Sequence, residues 1–366
     1  MNRYILYISI AMLTACTSSK KNEIRNLSED FPTTIELKSE VLNIPSDSLD
    51  DCEDMEIIGE WCVVKGSTGD KVTTAINLKD GKCVKLISKG RGPNELGSNT
   101  SVTICDNSMY ITNNFSYNEQ ELKCICISES EGEITSKPEP IKVNDYFTYG
   151  PEVILSNGHT MFYAINNMKY DESPYRLVVF NSSGDSVCQI GDIMPLQYAS
   201  ESIKDIRGAN WSGCYAKLYG SNRFAFASLV GVYFEFYDFK EDNKYEMLRH
   251  IYSKSHYDSR TIEGEFPIRV TGPTDDCIYG FIDLAASDKN YFALYCGKTK
   301  AELDTEDFNL NGNEIYSYTA NGKPLNHYKL DRTVRYIAVS HNGEYLYAWS
   351  PNPETLEPEI LIYQIP

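Results

Sequence analysis

Apolar residues in this chain come in short runs rich in Val, Ile, Tyr, Phe and Thr, each closed by a cluster of Gly, Asn, Asp or Ser. Short alternating runs bounded by turn residues predict strands, and no long segment has helical periodicity, so the pattern is that of an all-β protein. The runs recur. A turn followed by an aromatic strand appears as IIGEWCVV (57–64), ICDNSMYITN (104–113) and ILSNGHTMFYAI (154–165). It returns as LYGSNRFAFAS (218–228), AASDKNYFALY (285–295) and VSHNGEYLYAW (339–349). A hairpin with a polar turn follows each of the first five, at 76–87, 126–136, 179–190, 237–251 and 316–330. Four of these hairpins place glycine at the bend, Gly81, Gly132, Gly184 and Gly322, where a positive φ lets strands of matching twist fold back.

Six copies of one unit follow from this count. From Trp61 to Tyr345 the spacing is about 57 residues, a length that suits a four-stranded blade with its loops. Six antiparallel units without helices predict a six-bladed β-propeller, in which radial closure leaves no long exposed sheet edge. The last unit ends one strand short, while the run TTIELKSEVLNI (33–44) lies outside all six. That N-terminal strand is expected to complete the last blade and lock the ring.

The first residues are of another kind. MNRYILYISIAMLTAC has one basic residue, Arg3, then an apolar run from Tyr4 to Leu13. The run is too short to span a bilayer and reads as a secretory signal. It ends in Leu13-Thr14-Ala15-Cys16, which resembles a bacterial lipobox. The resemblance implies cleavage before Cys16, lipid on that cysteine, and a membrane anchor. Thr17 rather than aspartate follows, so the outer membrane is the favoured address, with the leaflet unspecified. The expected organisation is a signal peptide over 1–15, a lipidated cysteine with a flexible polar tether over 16–31, and the propeller over 32–366.

A formal charge of −18 disfavours nucleic acid, because nothing here would neutralise phosphates. Export permits disulfides, yet most of the cysteines after Cys16 sit inside apolar runs such as EWCVV and LKCICI. These thiols read as small hydrophobes in the core.

The stretch KGRGPNELGSNTSVTICDNSMYITNN (89–114) looks like one repeat of the NHL-type six-bladed propellers: a glycine-glycine-proline corner, an apolar strand, a turn and a Tyr-containing strand. With the lipobox and the six units, the chain over 33–366 resembles the TolB-like propeller lipoproteins of Bacteroidetes. The resemblance implies a fold and an envelope address and brings no catalytic residues.

Candidate chemistry is sparse. In Gly90-Arg91-Gly92-Pro93-Asn94-Glu95 a phosphate loop would need glycine where Glu95 stands, and Pro93 removes a backbone donor. A structural corner between blades one and two explains these residues better, with Arg91 and Glu95 placed to pair across the bend. Asp307, Asn309 and Asn311 with Gly312 match the start of a calcium loop, but Tyr318 stands where the bidentate glutamate belongs. Calcium is therefore the one cofactor that the pattern suggests, and a polar turn is the plainer account. The acidic run 46–57 reads as a solvated loop. Five histidines are too scattered for a metalloenzyme centre, and no nucleophile motif is present.

Two long insertions, 194–220 and 253–276, are the candidate ligand-facing loops. They carry Trp211, Tyr257, Arg260, Phe266 and Arg269, because long loops on a rigid scaffold tend to hold function. The expected function is a binding module for a peptide, protein or glycan. The alternative is a lyase or hydrolase with acids in the central funnel, although sequence offers no way to select which acids.

Overall fold

A computed structural model describes residues 27–44, 49, 52–66, 72–97, 100–113, 121–145, 147, 149–164, 173–192, 197–198, 212–254, 256–262, 268–306 and 309–366. Cys16, Trp211, Phe266 and Asp307 lie outside these residues. The strands form six radial sheets, the six-bladed β-propeller expected from the repeats.

Each repeated pair of motifs is one blade. The turn-and-aromatic pieces are the hairpins between the first and second strands, as in Cys52–Ile58 with Trp61–Gly66. The polar-turn pieces are the outer hairpins, as in Val232–Phe239 with Tyr245–Ser253. The predicted bend glycines Gly81, Gly132, Gly184 and Gly322 all have positive φ. At Gly81 a Cβ would also meet the carbonyl oxygen of Asn43 at 2.5 Å, so both conformation and space require glycine there.

The run 33–44 does more than complete one blade. Ser39–Val41 pairs antiparallel with Pro358–Gln364, supplying the outer strand of blade six. Thr34–Leu37 pairs parallel with the long outer strand Pro324–Val334 of blade five, making that sheet five-stranded. The Leu42 N–H then donates to Ile360 O at 2.8 Å, and Asn43 reaches the Gly81 hairpin of blade one. One short segment thereby touches three consecutive blades.

Apolar burial follows the ring. Six hydrophobic clusters each join two neighbouring blades. Ile58, Trp61 and Ile87 of blade one, for example, pack on Met109, Ile125 and Ile127 of blade two. The ten described cysteines are all unbonded, and burial raises the Cys105 thiol to about 12, which suits a packing role.

Residues 27–31, expected to belong to the flexible tether, pack against the propeller. Leu27–Asp30 forms a 3-10 turn, and Leu27 and Phe31 are both buried in the cluster between blades four and five. Phe31 lies 4.8 Å from the Tyr316 ring and 5.2 Å from that of Tyr318. An aromatic residue inside a polar stretch is thus an anchor for the N-terminal segment.

Replacing Phe31 with alanine removes that anchor. The expected cost is about 3 kcal/mol, read as a lower midpoint in chemical denaturation of the full chain. An unchanged midpoint would show that the packing of this segment is dispensable.

Candidate central channel

The first strand of every blade faces the propeller axis, and its alternation decides what lines the channel. In Cys52–Ile58, Met55 and Ile57 turn into the interface between blades six and one, while the half-buried Asp54 and Glu56 line the axial cavity. That cavity is about 230 Å³ and is lined by residues of all six blades. Blade three contributes Glu152, blade four Tyr215 and Lys217, and blade five Asp283. The acidic run 46–57 is therefore only partly the solvated loop expected from its charge. Its C-terminal half is an inner strand, where every second residue leaves the core.

A chain of hydrogen bonds ties the first turns of the blades into a rim. The Gly59 N–H donates to Asn107 Oδ1 at 2.8 Å, joining blades one and two. Ser156 donates to Asp106 Oδ1 at 3.1 Å and to Ser221 O at 3.4 Å, joining blades two, three and four. The Tyr219 N–H reaches Ser287 O at 3.3 Å, and the Asp288 N–H reaches His341 O at 2.9 Å. The His341 side chain in turn bonds the Ile57 backbone, returning to blade one.

Asp106 is the busiest member of this rim. It also accepts the Gly220 N–H at 2.8 Å and pairs with the buried Lys217 ammonium. Burial alone would raise its pKa, but Lys217 and the Gly220 N–H hold it below the usual carboxylate range. Lys217 donates as well to Leu218 O at 3.3 Å, so two acceptors hold this cation at the rim. Tyr219 stacks on His341 with ring centroids 4.4 Å apart, and burial keeps His341 below its ordinary pKa.

Deeper in, the acids lack such partners. Glu56 accepts only the N–H of its neighbour Ile57, at 2.9 Å. Asp283 accepts backbone N–H groups from Leu284 at 2.8 Å and Ile337 at 2.6 Å. Glu152 has no side-chain hydrogen bond among the described residues, and burial is the sole cause of its shift. Desolvation raises Glu56, Glu152 and Asp283 to about 8 each. Asp54 rises to about 6, because Lys65 offsets part of its burial. Three carboxyl groups are thus largely protonated near neutral pH.

The residues singled out in the sequence lie elsewhere. Glu95 folds back to accept the Gly92 N–H at 2.8 Å, and no described ion pair joins it to Arg91. Ser88–Lys89 pairs parallel with Glu95–Leu96 to form the corner. Gly90 and Gly92 are not among the positive-φ glycines; a Cβ on Gly90 would lie 2.0 Å from the Glu95 carboxylate. That carboxylate is the far end of a flexible side chain, so neither a positive φ nor fixed backbone demands glycine there.

The two long insertions meet in one small sheet. Gln197–Tyr198 pairs parallel with His256–Ile262, which pairs with Ile268–Pro273. Tyr257, expected on a ligand-facing loop, is instead buried against Val230, Cys277, Tyr279 and Leu303. Arg260 and Arg269 lie on paired strands, and only their backbone is described. Asn309 is exposed, and Asn311 Oδ1 faces the Lys298 ammonium at 3.5 Å, a neighbour that opposes a calcium ion.

The ring of six blades with an axial channel matches what comparison finds. Residues 76–342 match the TolB-like 6-blade propeller-like family. The chain belongs to that family. Among solved structures, it is similar to a protein described as exported from Bacteroides fragilis, at 10% identity and TM-score 0.49, covering 91% of this chain and all of that one. It is also similar to a gluconolactonase from Xanthomonas campestris, at 10% identity and TM-score 0.42 over 87% and 88% of the two chains. A third likeness is to the U3-55K protein, at 8% identity and TM-score 0.43 over 89% and 98%. No protein of curated function matches the chain.

The channel acids of this TolB-like propeller set a pH dependence. A carboxyl whose folded pKa is about 8 binds more protons than its unfolded counterpart near 4.3, so its contribution to stability falls as pH rises between those values. Glu152→Gln removes that loss. Relative to the parent, the variant should gain about 3–4 kcal/mol of stability between pH 5 and pH 8.5. Parallel stability curves over that range would contradict the assignment.

Proposed function

We propose that this TolB-like propeller is an exported, lipid-anchored binding module of the cell envelope whose ligand site is the central channel. The observation that carries this reading is the convergence of Glu56, Glu152 and Asp283 on one cavity, where burial holds them near a pKa of 8. Buried titratable groups without a cationic partner, gathered in a concave site, reduce stability, and such groups mark functional sites. The ligand is a peptide, protein segment or glycan presented at the Tyr219–His341 rim. The lipobox Leu13–Cys16 and its apolar leader support the address, with the outer membrane as destination.

A second reading is favoured by the same acids. A carboxyl that is protonated near neutral pH is matched to the work of a general acid, so a lyase or hydrolase acting within the channel fits the chemistry of Glu56 and Asp283.

Two measurements test the first reading. Mass spectrometry of the mature N-terminus should find diacylglyceryl-Cys16, and an unmodified N-terminus at any other residue would overturn the anchor. Envelope extracts passed over the full chain and over a Glu56→Gln/Glu152→Gln/Asp283→Asn variant should yield a ligand retained by the parent alone. Equal retention by both would remove the channel as the site.

A further inference from the structure

The channel wall has two characters along its length. Val102, Ile104, Ala216, Leu284 and Ile337 present apolar surface, and the acids interrupt it at intervals. We infer that this channel takes a primary ammonium group on an alkyl stem, as a lysine side chain or a small free amine carries, with the head held by acids that line the cavity, Glu56, Glu152 and Asp283 among them, and the stem along the apolar wall. This rests on the reading of the channel as the ligand site and names the chemistry of its occupant.

Charge balance is the first argument. Among the described residues lining the cavity, Lys217 is the only lysine or arginine, and it is engaged by Asp106 and Leu218 O. The deeper acids therefore have no counter-charge close by, apart from the help that Lys65 gives Asp54. An anion would find no cation among these residues except Lys217, already held by Asp106, whereas an ammonium entering the channel shifts these acids toward their ionised form and becomes their counter-charge.

Hydrogen-bond capacity is the second. Glu152 offers both carboxylate oxygens, and Glu56 has accepting capacity left after its bond to Ile57 N–H. The Tyr215 hydroxyl is closed off from bulk water, has no hydrogen-bond partner among the described residues, and belongs to a side chain that lines the same cavity. An ammonium has three donors and no acceptor, so this acceptor-rich wall can satisfy it.

Size is the third argument. A cavity of about 230 Å³ has room for an alkyl stem ending in an ammonium. Long amine side chains characteristically bury the stem and keep the head on polar partners.

Seating the head also moves protons. The acids are largely protonated near neutral pH, and a bound cation favours their ionised form, so binding releases protons to solvent. The other groups facing the channel contribute less. Asp106 is already ionised by Lys217, burial keeps His341 neutral, and burial raises Cys214 and Tyr215 well above neutrality.

Titration calorimetry on the full chain tests the inference. The probes are 1,5-diaminopentane, the tripeptide Gly-Gly-Lys, and 1,5-pentanediol as a neutral analogue, at pH 7 in two buffers of different ionisation heat. At least one amine should bind with release of about one proton, and the diol should not bind. Binding by the diamine alone identifies a free amine as the source; preference for the tripeptide identifies a lysine side chain. Glu152→Gln and Asp283→Asn should each weaken amine binding by about tenfold or more, and a thermal melt of each variant reports that it is folded. Equal binding by the diol, or no binding by either amine to the folded parent, overturns the ammonium. If capture from envelope extracts still depends on the channel acids, the binding reading survives that failure; if it does not, both fall.

Discussion

Closure of the ring is the constraint on which the rest of this molecule depends. A propeller has no single core: its apolar surface is divided among six clusters, and each is complete only when both flanking blades are present. Linear repeats can end with a capping unit, but a ring must join its last blade to its first. Here that junction falls to residues 33–44, which add a strand to blade five, finish blade six and reach blade one. Phe31 and Leu27 hold the start of this segment in the interface between blades four and five. The fold therefore depends on contacts between the two ends of the sequence, whose loop-closure cost must be met before the last interface can form.

Polar contacts then fix how the blades sit against each other. Between blades three and four, the fully buried Arg176 and Glu235 pair at 2.5 Å, and Arg249 reaches the other Glu235 oxygen at 2.6 Å. The Arg176 guanidinium lies 4.1 Å over the Phe226 ring. Burial alone would raise the Glu235 pKa, but the two arginines hold it down. Such a group is weak evidence for net stability, since desolvation offsets much of the attraction. Its geometric demand is stronger, because removing either partner leaves a buried charge. Asp106 plays the parallel role at the rim, where one carboxylate receives donors from blades three and four.

The contrast between these networks and the channel is informative. Glu235 and Asp106 are acids with full sets of partners, and their pKa values lie below the ordinary range. Glu56, Glu152 and Asp283 are half-buried and lack cationic partners, and theirs lie near 8. One scaffold thus holds acids in two electrostatic states, one serving blade registration and one left open toward the axis. The difference comes from whether a cation on a neighbouring blade reaches the carboxylate.

The repeats were legible because each blade restates the same local chemistry. Aromatic alternation, polar turns and the bend glycines Gly81, Gly132, Gly184 and Gly322 are set by nearest neighbours, so strand, hairpin and blade number could be read from the chain alone. The resemblance to TolB-like propellers rested on the 89–114 repeat and the lipobox together with those six units. The incomplete last unit and the orphan run 33–44 likewise pointed to the closing strand, although its second pairing with blade five did not show in the pattern. The channel was not legible. Glu152 and Asp283 are single acids within apolar strands more than a hundred residues apart, and nothing local distinguishes them from solvent-facing alternates. Tyr257, by contrast, has the look of a loop aromatic, yet it is buried on a strand of the small sheet in which two distant insertions meet. Periodicity says which side of a strand a residue takes; only closure of the ring decides whether that side meets solvent, a neighbouring blade or the axis.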